Sequence, residues 1–182
     1  MREFFVKYAS IFKFIGLALL LLIAWALISA FFPEWIYDMH YQLIRQQTIV
    51  SGWLLSAFYD VDMYFLQGNC LGAIRLEHMR SVCVGTGCSG LELFFIFAAF
   101  ILIYQGNRRH MWWFLPAGLL AILVLNIIRI TLLAVINHHY PQYLDFNHKY
   151  TFVLIVYGAI FALWLIWVNR LSISKMQPEN DE

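Results

Sequence analysis

The chain has 182 residues, of which 62% are apolar and 13% are charged, and its formal net charge is +1 at pH 7. Soluble domains carry about 25% charged residues, so this composition excludes an ordinary soluble protein, and the small net charge does not indicate nucleic-acid binding. We expect an all-α integral membrane protein, a polytopic helical bundle that forms a single membrane domain over residues 1–182.

Four apolar runs predict four membrane-spanning helices. A bilayer requires about 20 apolar residues per helix, and the second run is short unless its flanking residues extend it. The first run is too long for the apolar region of a signal peptide, so we interpret it as an anchor. The predicted spans are 11–32, 89–105, 111–136 and 151–168.

The segment 34–87 between the first two spans has a mixed composition. Residues 48–58 carry apolar side chains at helical spacing, which predicts an amphipathic helix that lies on the membrane surface or re-enters it. Residues 73–77 and 81–84 predict a short hairpin before the second span. The last polar residues, 171–182, form a tail.

The distribution of basic residues predicts the orientation of the four spans. Three basic groups share one side of the predicted topology, and such groups favour the cytoplasm. The N- and C-termini are therefore predicted inside, and segment 34–87 and the loop before the fourth span are predicted outside. The groups are Arg2, Lys7 and Lys13; Arg108 and Arg109; and Arg170 and Lys175.

This orientation brings three chemically active residues to the same outer depth: Cys88, Arg129 and His148. Cys88 precedes a helix, whose dipole and free N–H groups favour a thiolate. Its small neighbours Ser89 and Gly90 would let a substrate backbone come close. In the simpler interpretation, Ser89 is a helix cap and Cys88 is a small apolar residue.

Arg129 lies inside the third predicted span, where a charge costs about 2.5–3.5 kcal/mol at the membrane centre. A guanidinium that faces a polar cavity there would stabilise an oxyanion; the alternatives are a snorkelling side chain or an ion pair with Glu92. Asn126, one turn earlier, could form a hydrogen bond across helices or orient Arg129. Glu92 could pair with Arg129, orient His148 or complement its own helix dipole.

His148 is the best candidate for a general acid or base, because a thiol nucleophile needs an imidazole partner. A zinc site formed by His138, His139, His148 and Cys88 is an alternative. The sequence contains no HExxH motif, and we expect neither a metal nor a cofactor. Two further histidines are interpreted as surface residues, His40 and His78.

Three cysteines fall in one stretch, Cys70, Cys83 and Cys88. An odd number leaves one disulfide with a free thiol, or three buried thiols. The spacing from Cys83 to Cys88 is not CxxC, so a thioredoxin-type motif is absent. A thiol oxidoreductase that uses all three cysteines remains an alternative function. Another is a non-enzymatic membrane subunit or transporter with Arg129 and Glu92 along its path.

The segment Cys88-Ser89-Gly90-Leu91 opens one span, Asn126-x-x-Arg129-Ile130 lies in the next, and His148 precedes the last. Over residues 81–168 this arrangement resembles the exosortase/archaeosortase family, in a compact bacterial form. Members are membrane cysteine proteases or transpeptidases that are sortase-like in role. The resemblance implies that Cys88 is the nucleophile, Arg129 the transition-state stabiliser and His148 the general acid/base. It leaves substrate-positioning or supporting roles for Ser89, Gly90, Glu92 and Asn126.

The resemblance also implies the partners and the location. The substrate would be an exported protein with a C-terminal sorting signal that includes a spanning helix. The acceptor would be a membrane lipid or another component of the cell envelope. The chain would lie in the bacterial cytoplasmic (inner) membrane, with its active site at the outer, periplasmic face.

Overall fold

The computed structural model describes residues 2–104 and 108–172, which form a mainly helical molecule with one small sheet. The helices are α1 (Arg2–Phe31), α2 (Pro33–Leu55), α3 (Leu91–Ile103), α4 (Arg108–His139), α5 (Leu144–Phe146) and α6 (Phe152–Ile166). The strands are β1 (Val61–Phe65), β2 (Gly72–Leu76) and β3 (Ser81–Val84). The end of the predicted second span and residues 173–182 of the predicted tail lie outside the described residues.

The helices confirm the expected all-α membrane class. Within the described residues, two helices have the length and composition to cross a membrane, Arg109–His139 and Pro141–Asn169. The bent pair Leu19–Phe31 and Pro33–Leu55 would add a third span if it crosses as one unit, and α3 is a shorter apolar helix. The predicted number of four spans is therefore not established by helix length and composition.

A sharp bend separates the first two helices. The chain turns by 99° between α1 and α2, and Pro33 starts α2, where its missing N–H is not needed and its fixed φ suits a helix. The helix predicted over 48–58 is the last part of this longer helix and ends at Leu55. Most of α2 thus belongs to a segment for which the sequence predicted no regular structure.

The sheet is antiparallel, in the order β1-β2-β3. The predicted hairpin is confirmed as β2 and β3, whose turn places Glu77 and His78 at positive φ. Strand β1 extends the hairpin by pairing with β2. A disulfide joins Cys70, just before β2, to Cys83 in β3, and β3 leads within four residues to Cys88.

Helix α4 lies at the centre and packs against α2, α3, α6 and the sheet. One buried cluster joins α3, α4 and α6 around Phe97, Phe114 and Trp167. Gly118 permits this packing, because a Cβ there would overlap the ring of Phe97. A second cluster lies between α2, α4 and the sheet and includes Cys88.

Candidate active site

Cys88 and His148 meet at the end of the bundle that carries the sheet. Cys88 ends a single 3₁₀ turn, Thr86–Cys88, between β3 and α3. His148 lies in a π-helical turn, Asn147–Thr151, which leads into α6. The Sγ atom of Cys88 lies 3.1 Å from Nε2 of His148. This contact joins residues 60 positions apart and creates the thiol–imidazole pair expected of a cysteine nucleophile and its base.

Arg129 supplies the positive charge beside this pair. Its side chain is only 7% exposed, its Nε atom is buried without a hydrogen-bond partner, and none of the described carboxylates forms an ion pair with it. Its charge acts on both Cys88 and His148. Burial raises the pKa of the Cys88 thiol, and Arg129 opposes that effect. The thiol form of Cys88 is therefore favoured at rest. It lies next to the imidazole of His148 and near a guanidinium that forms no ion pair with the described carboxylates.

The backbone at Cys88 is held by side chains from α2 and α4. Asn126 donates through Nδ2 to the carbonyl oxygen of Cys88, at 2.6 Å, and to Oε1 of Gln47, at 2.9 Å. Gln47 donates through Nε2 to the carbonyl oxygen of Ser89, at 2.8 Å. Asn126 therefore forms hydrogen bonds across helices, the first of the two possibilities raised by the sequence.

Ser89 and Gly90 support the turn from behind Cys88. The Ser89 side chain is fully buried, and its Oγ accepts a hydrogen bond from the N–H of Leu91 at the start of α3. Gly90 is the N-cap residue in a left-handed conformation with φ of 79°. Because its hydroxyl binds the N–H of Leu91, Ser89 caps α3 from the position before Gly90. We call residues 85–90 the Cys88 loop.

Glu92 does not contact Arg129 or His148. Its Oε1 lies 3.6 Å from Nε2 of His40, while Nδ1 of His40 lies 2.7 Å from Oγ of Ser89. The interpretation of His40 as a surface residue is wrong, because this side chain is 6% exposed and packs behind the Cys88 loop. The cause is the bend after α1, which brings α2 against the loop.

The other histidines on this side have separate partners. His138 lies 3.4 Å from Glu77, and His139 lies 3.0 Å from the hydroxyl of Tyr59. His148 is instead paired with Cys88. The described residues thus do not form the zinc cluster that was considered as an alternative. His78 is exposed, as predicted, and contacts the carboxylates of Asp60 and Asp62.

The cysteines divide into one disulfide and one free thiol. Cys70 and Cys83 are bonded to each other, which fixes the loop before β2 against β3. Cys88 is free and buried, and its sulfur faces His148. The disulfide therefore leaves Cys88 as the one thiol of the three.

The sequence pattern did not predict two further residues that contact the Cys88 loop, Gln47 and His40. Both lie on the buried side of α2, together with Ile44 and Ser51, and both contact Ser89 in the Cys88 loop. Polar residues at helical spacing, just after the predicted anchor helix, indicate that this side of α2 packs against other parts of the protein.

The fold and the site together define a membrane protein with a cysteine, histidine and arginine centre. Residues 5–169 match the transmembrane exosortase family, and the chain belongs to that family. No curated protein and no solved structure matches the chain.

Proposed function

We propose that this exosortase is a membrane cysteine protease or transpeptidase that cleaves C-terminal sorting signals and transfers the protein to an acceptor. The observation that carries the proposal is the 3.1 Å contact between Cys88 Sγ and His148 Nε2, beside the buried charge of Arg129. Family membership supports the reaction class.

The proposed reaction begins when His148 accepts the thiol proton of Cys88. The sulfur attacks the scissile carbonyl carbon and forms a C–S bond, and the carbonyl oxygen becomes an anion that Arg129 stabilises. The peptide C–N bond then breaks as His148 returns the proton to the leaving amine. An acceptor hydroxyl or amine, or water, loses a proton to His148 and attacks the thioester, and Cys88 regains its thiol.

Arg129 suits this role because its charge is buried and has no counter-ion within residues 2–104 and 108–172. A buried, unpaired charge is unfavourable in the resting protein, so an anion that develops in the transition state is bound more strongly than the neutral substrate carbonyl. Stabilisation of this kind raises kcat more than it lowers KM.

The proposed location is the outer face of the bacterial inner membrane, with both chain ends in the cytoplasm. The basic groups at the inner ends of the predicted spans support this orientation. The substrate would enter with its own spanning helix in the bilayer and its scissile bond at the Cys88 loop. The acceptor would be a lipid or another envelope component.

The experiment co-expresses the chain with a tagged exported protein that ends in a short motif, a spanning helix and a basic cluster. Processing is compared for Cys88→Ala, Arg129→Ala and His148→Ala, with each variant quantified in the membrane. We expect all three to stop processing. His139→Ala is the matched control, because His139 contacts Tyr59 instead of the thiol.

Cys83→Ala separates the protease from an oxidoreductase. A protease keeps processing activity once the variant is present in the membrane, whereas an oxidoreductase that uses all three cysteines loses its activity. Continued processing by Cys88→Ala would refute the proposed nucleophile.

A further inference from the structure

The side of α2 that packs against the protein is unusually polar. It presents His40, Gln47 and Ser51 to the interior, each at most 6% exposed, while apolar Val50 and Trp53 are exposed. Buried polar groups are stable only where they form hydrogen bonds. His40, Gln47 and Ser51 each have such a partner, whereas the buried hydroxyl of Thr48 on the same side has none among the described residues.

The partners of Gln47 surround the nucleophile. Its Nε2 donates to the carbonyl oxygen of Ser89 at 2.8 Å, and its Oε1 accepts from Asn126 at 2.9 Å. Asn126 in turn donates to the carbonyl oxygen of Cys88 at 2.6 Å. Since one end of the Gln47 amide donates and the other accepts, the orientation of the amide is fixed. The carbonyl groups of Cys88 and Ser89 are thus held by Asn126 of α4 and Gln47 of α2, respectively.

His40 fixes the same backbone through the Ser89 hydroxyl. The Oγ of Ser89 accepts from the N–H of Leu91 at 3.1 Å and lies 2.7 Å from Nδ1 of His40. Nε2 of His40 lies 3.6 Å from a carboxylate oxygen of Glu92. Both ring nitrogens of His40 thus have partners in the residues that follow Cys88.

We propose that Gln47 is a positioning residue that holds Cys88 so that its sulfur meets His148. This inference rests on the proposed function, in which that meeting activates the nucleophile. The buried carbonyl group of Ser89 needs a donor, because a buried acceptor left without a hydrogen bond is costly, and Gln47 supplies that donor. A misplacement of about 1 Å at a reacting atom can reduce the rate about a hundredfold.

The first test measures the coupling between Cys88 and His148 without any substrate. Cys88 is the single thiol outside the disulfide, so its alkylation by iodoacetamide can be followed in detergent with and without His148→Ala. In the Gln47→Leu background, we expect the alkylation rates of Cys88 measured with and without His148→Ala to be nearly equal, so that their ratio approaches one. Gln46→Leu is the matched control, since Gln46 is the exposed neighbour on the same helix, and it should preserve the wild-type ratio.

The second test separates positioning from folding. Gln47→Leu should reduce kcat for tail processing about tenfold to a hundredfold, with little change in KM. Gln47→Glu should recover activity at acidic pH, where a protonated carboxyl can donate to Ser89 and accept from Asn126. Its activity should fall as the carboxyl ionises, a decrease that wild type lacks.

Two results would overturn the inference. One is a folded Gln47→Leu protein that retains both the wild-type alkylation ratio and kcat. The other, decisive if Gln47→Leu does not fold, is a Gln47→Glu protein whose pH profile matches wild type. If Cys88→Ala still processes the tail, the proposed function fails, but the alkylation ratio still decides whether Gln47 positions the thiol against His148.

Discussion

Gly90 is the point at which the Cys88 loop turns into α3, and replacing it with alanine tests how strictly that turn is specified. Its φ of 79° is a left-handed conformation that costs an L residue roughly 1–2 kcal/mol. A Cβ would lie 3.1 Å from Nδ2 of Asn126, the atom that donates to the carbonyl oxygen of Cys88. Moving that amide weakens a hydrogen bond worth about 1 kcal/mol. We expect Gly90→Ala to lower the free energy of unfolding by about 2–3 kcal/mol.

The assay compares denaturant-induced unfolding of purified Gly90→Ala and Gly87→Ala in the same detergent. Gly87 is a matched control in the same loop, because a Cβ there meets nothing within 4 Å and its φ is not left-handed. Gly87→Ala should unfold as wild type does. Equal denaturation midpoints for the two variants would show that the turn does not require glycine at residue 90 and that the Asn126 amide is not displaced.

The remaining predictions concern the charge at the site and the packing of the bundle. Burial raises the pKa of the Cys88 thiol, and the charge of Arg129 opposes that effect. Arg129→Met should therefore raise this pKa further and move the midpoint of the pH profile of Cys88 alkylation to higher pH. Exposed Arg80 provides the control, and Arg80→Met should leave that midpoint unchanged. Gly118→Ala would press against the fully buried ring of Phe97 and should destabilise the bundle by about 1–3 kcal/mol, as measured by thermal unfolding in detergent.

Gly158→Ala is the control for the packing prediction, because a Cβ on that residue of α6 meets nothing within 4 Å. It should be neutral or slightly stabilising, since alanine favours a helix over glycine. Equal stability of the two alanine variants would contradict the close approach of α3 and α4. An alkylation midpoint that stays in place in Arg129→Met would contradict the electrostatic role of Arg129.

The sequence predicted that Cys88 and His148 lie at one depth, because both stand at the end of an apolar helix on the same side of the expected bundle. The structure places their Sγ and Nε2 atoms 3.1 Å apart, whereas the predicted topology stays a prediction. The hairpin was also predictable, because two short segments with β-forming residues flank a turn. These features depend on local patterns and on the length of a helix.

The features that were missed depend on contacts between distant parts of the chain. Pro33 both ends one apolar run and starts the next helix, and only the tertiary structure shows the 99° bend. Strand β1 is formed through its pairing with β2. Its local sequence alone does not distinguish a strand from a loop. Glu92 had several possible partners, and the position of His40 after the bend decided among them.

The most direct test of the central claim is a search for a covalent intermediate on Cys88. The purified protein is mixed with the tagged substrate that carries the C-terminal tail, quenched in acid and analysed by mass spectrometry. We expect a thioester between the cleaved substrate and the Cys88 peptide, which neutral hydroxylamine removes and which is absent in Cys88→Ala. Cleavage of the substrate by Cys88→Ala, with no adduct on the wild-type protein, would contradict it.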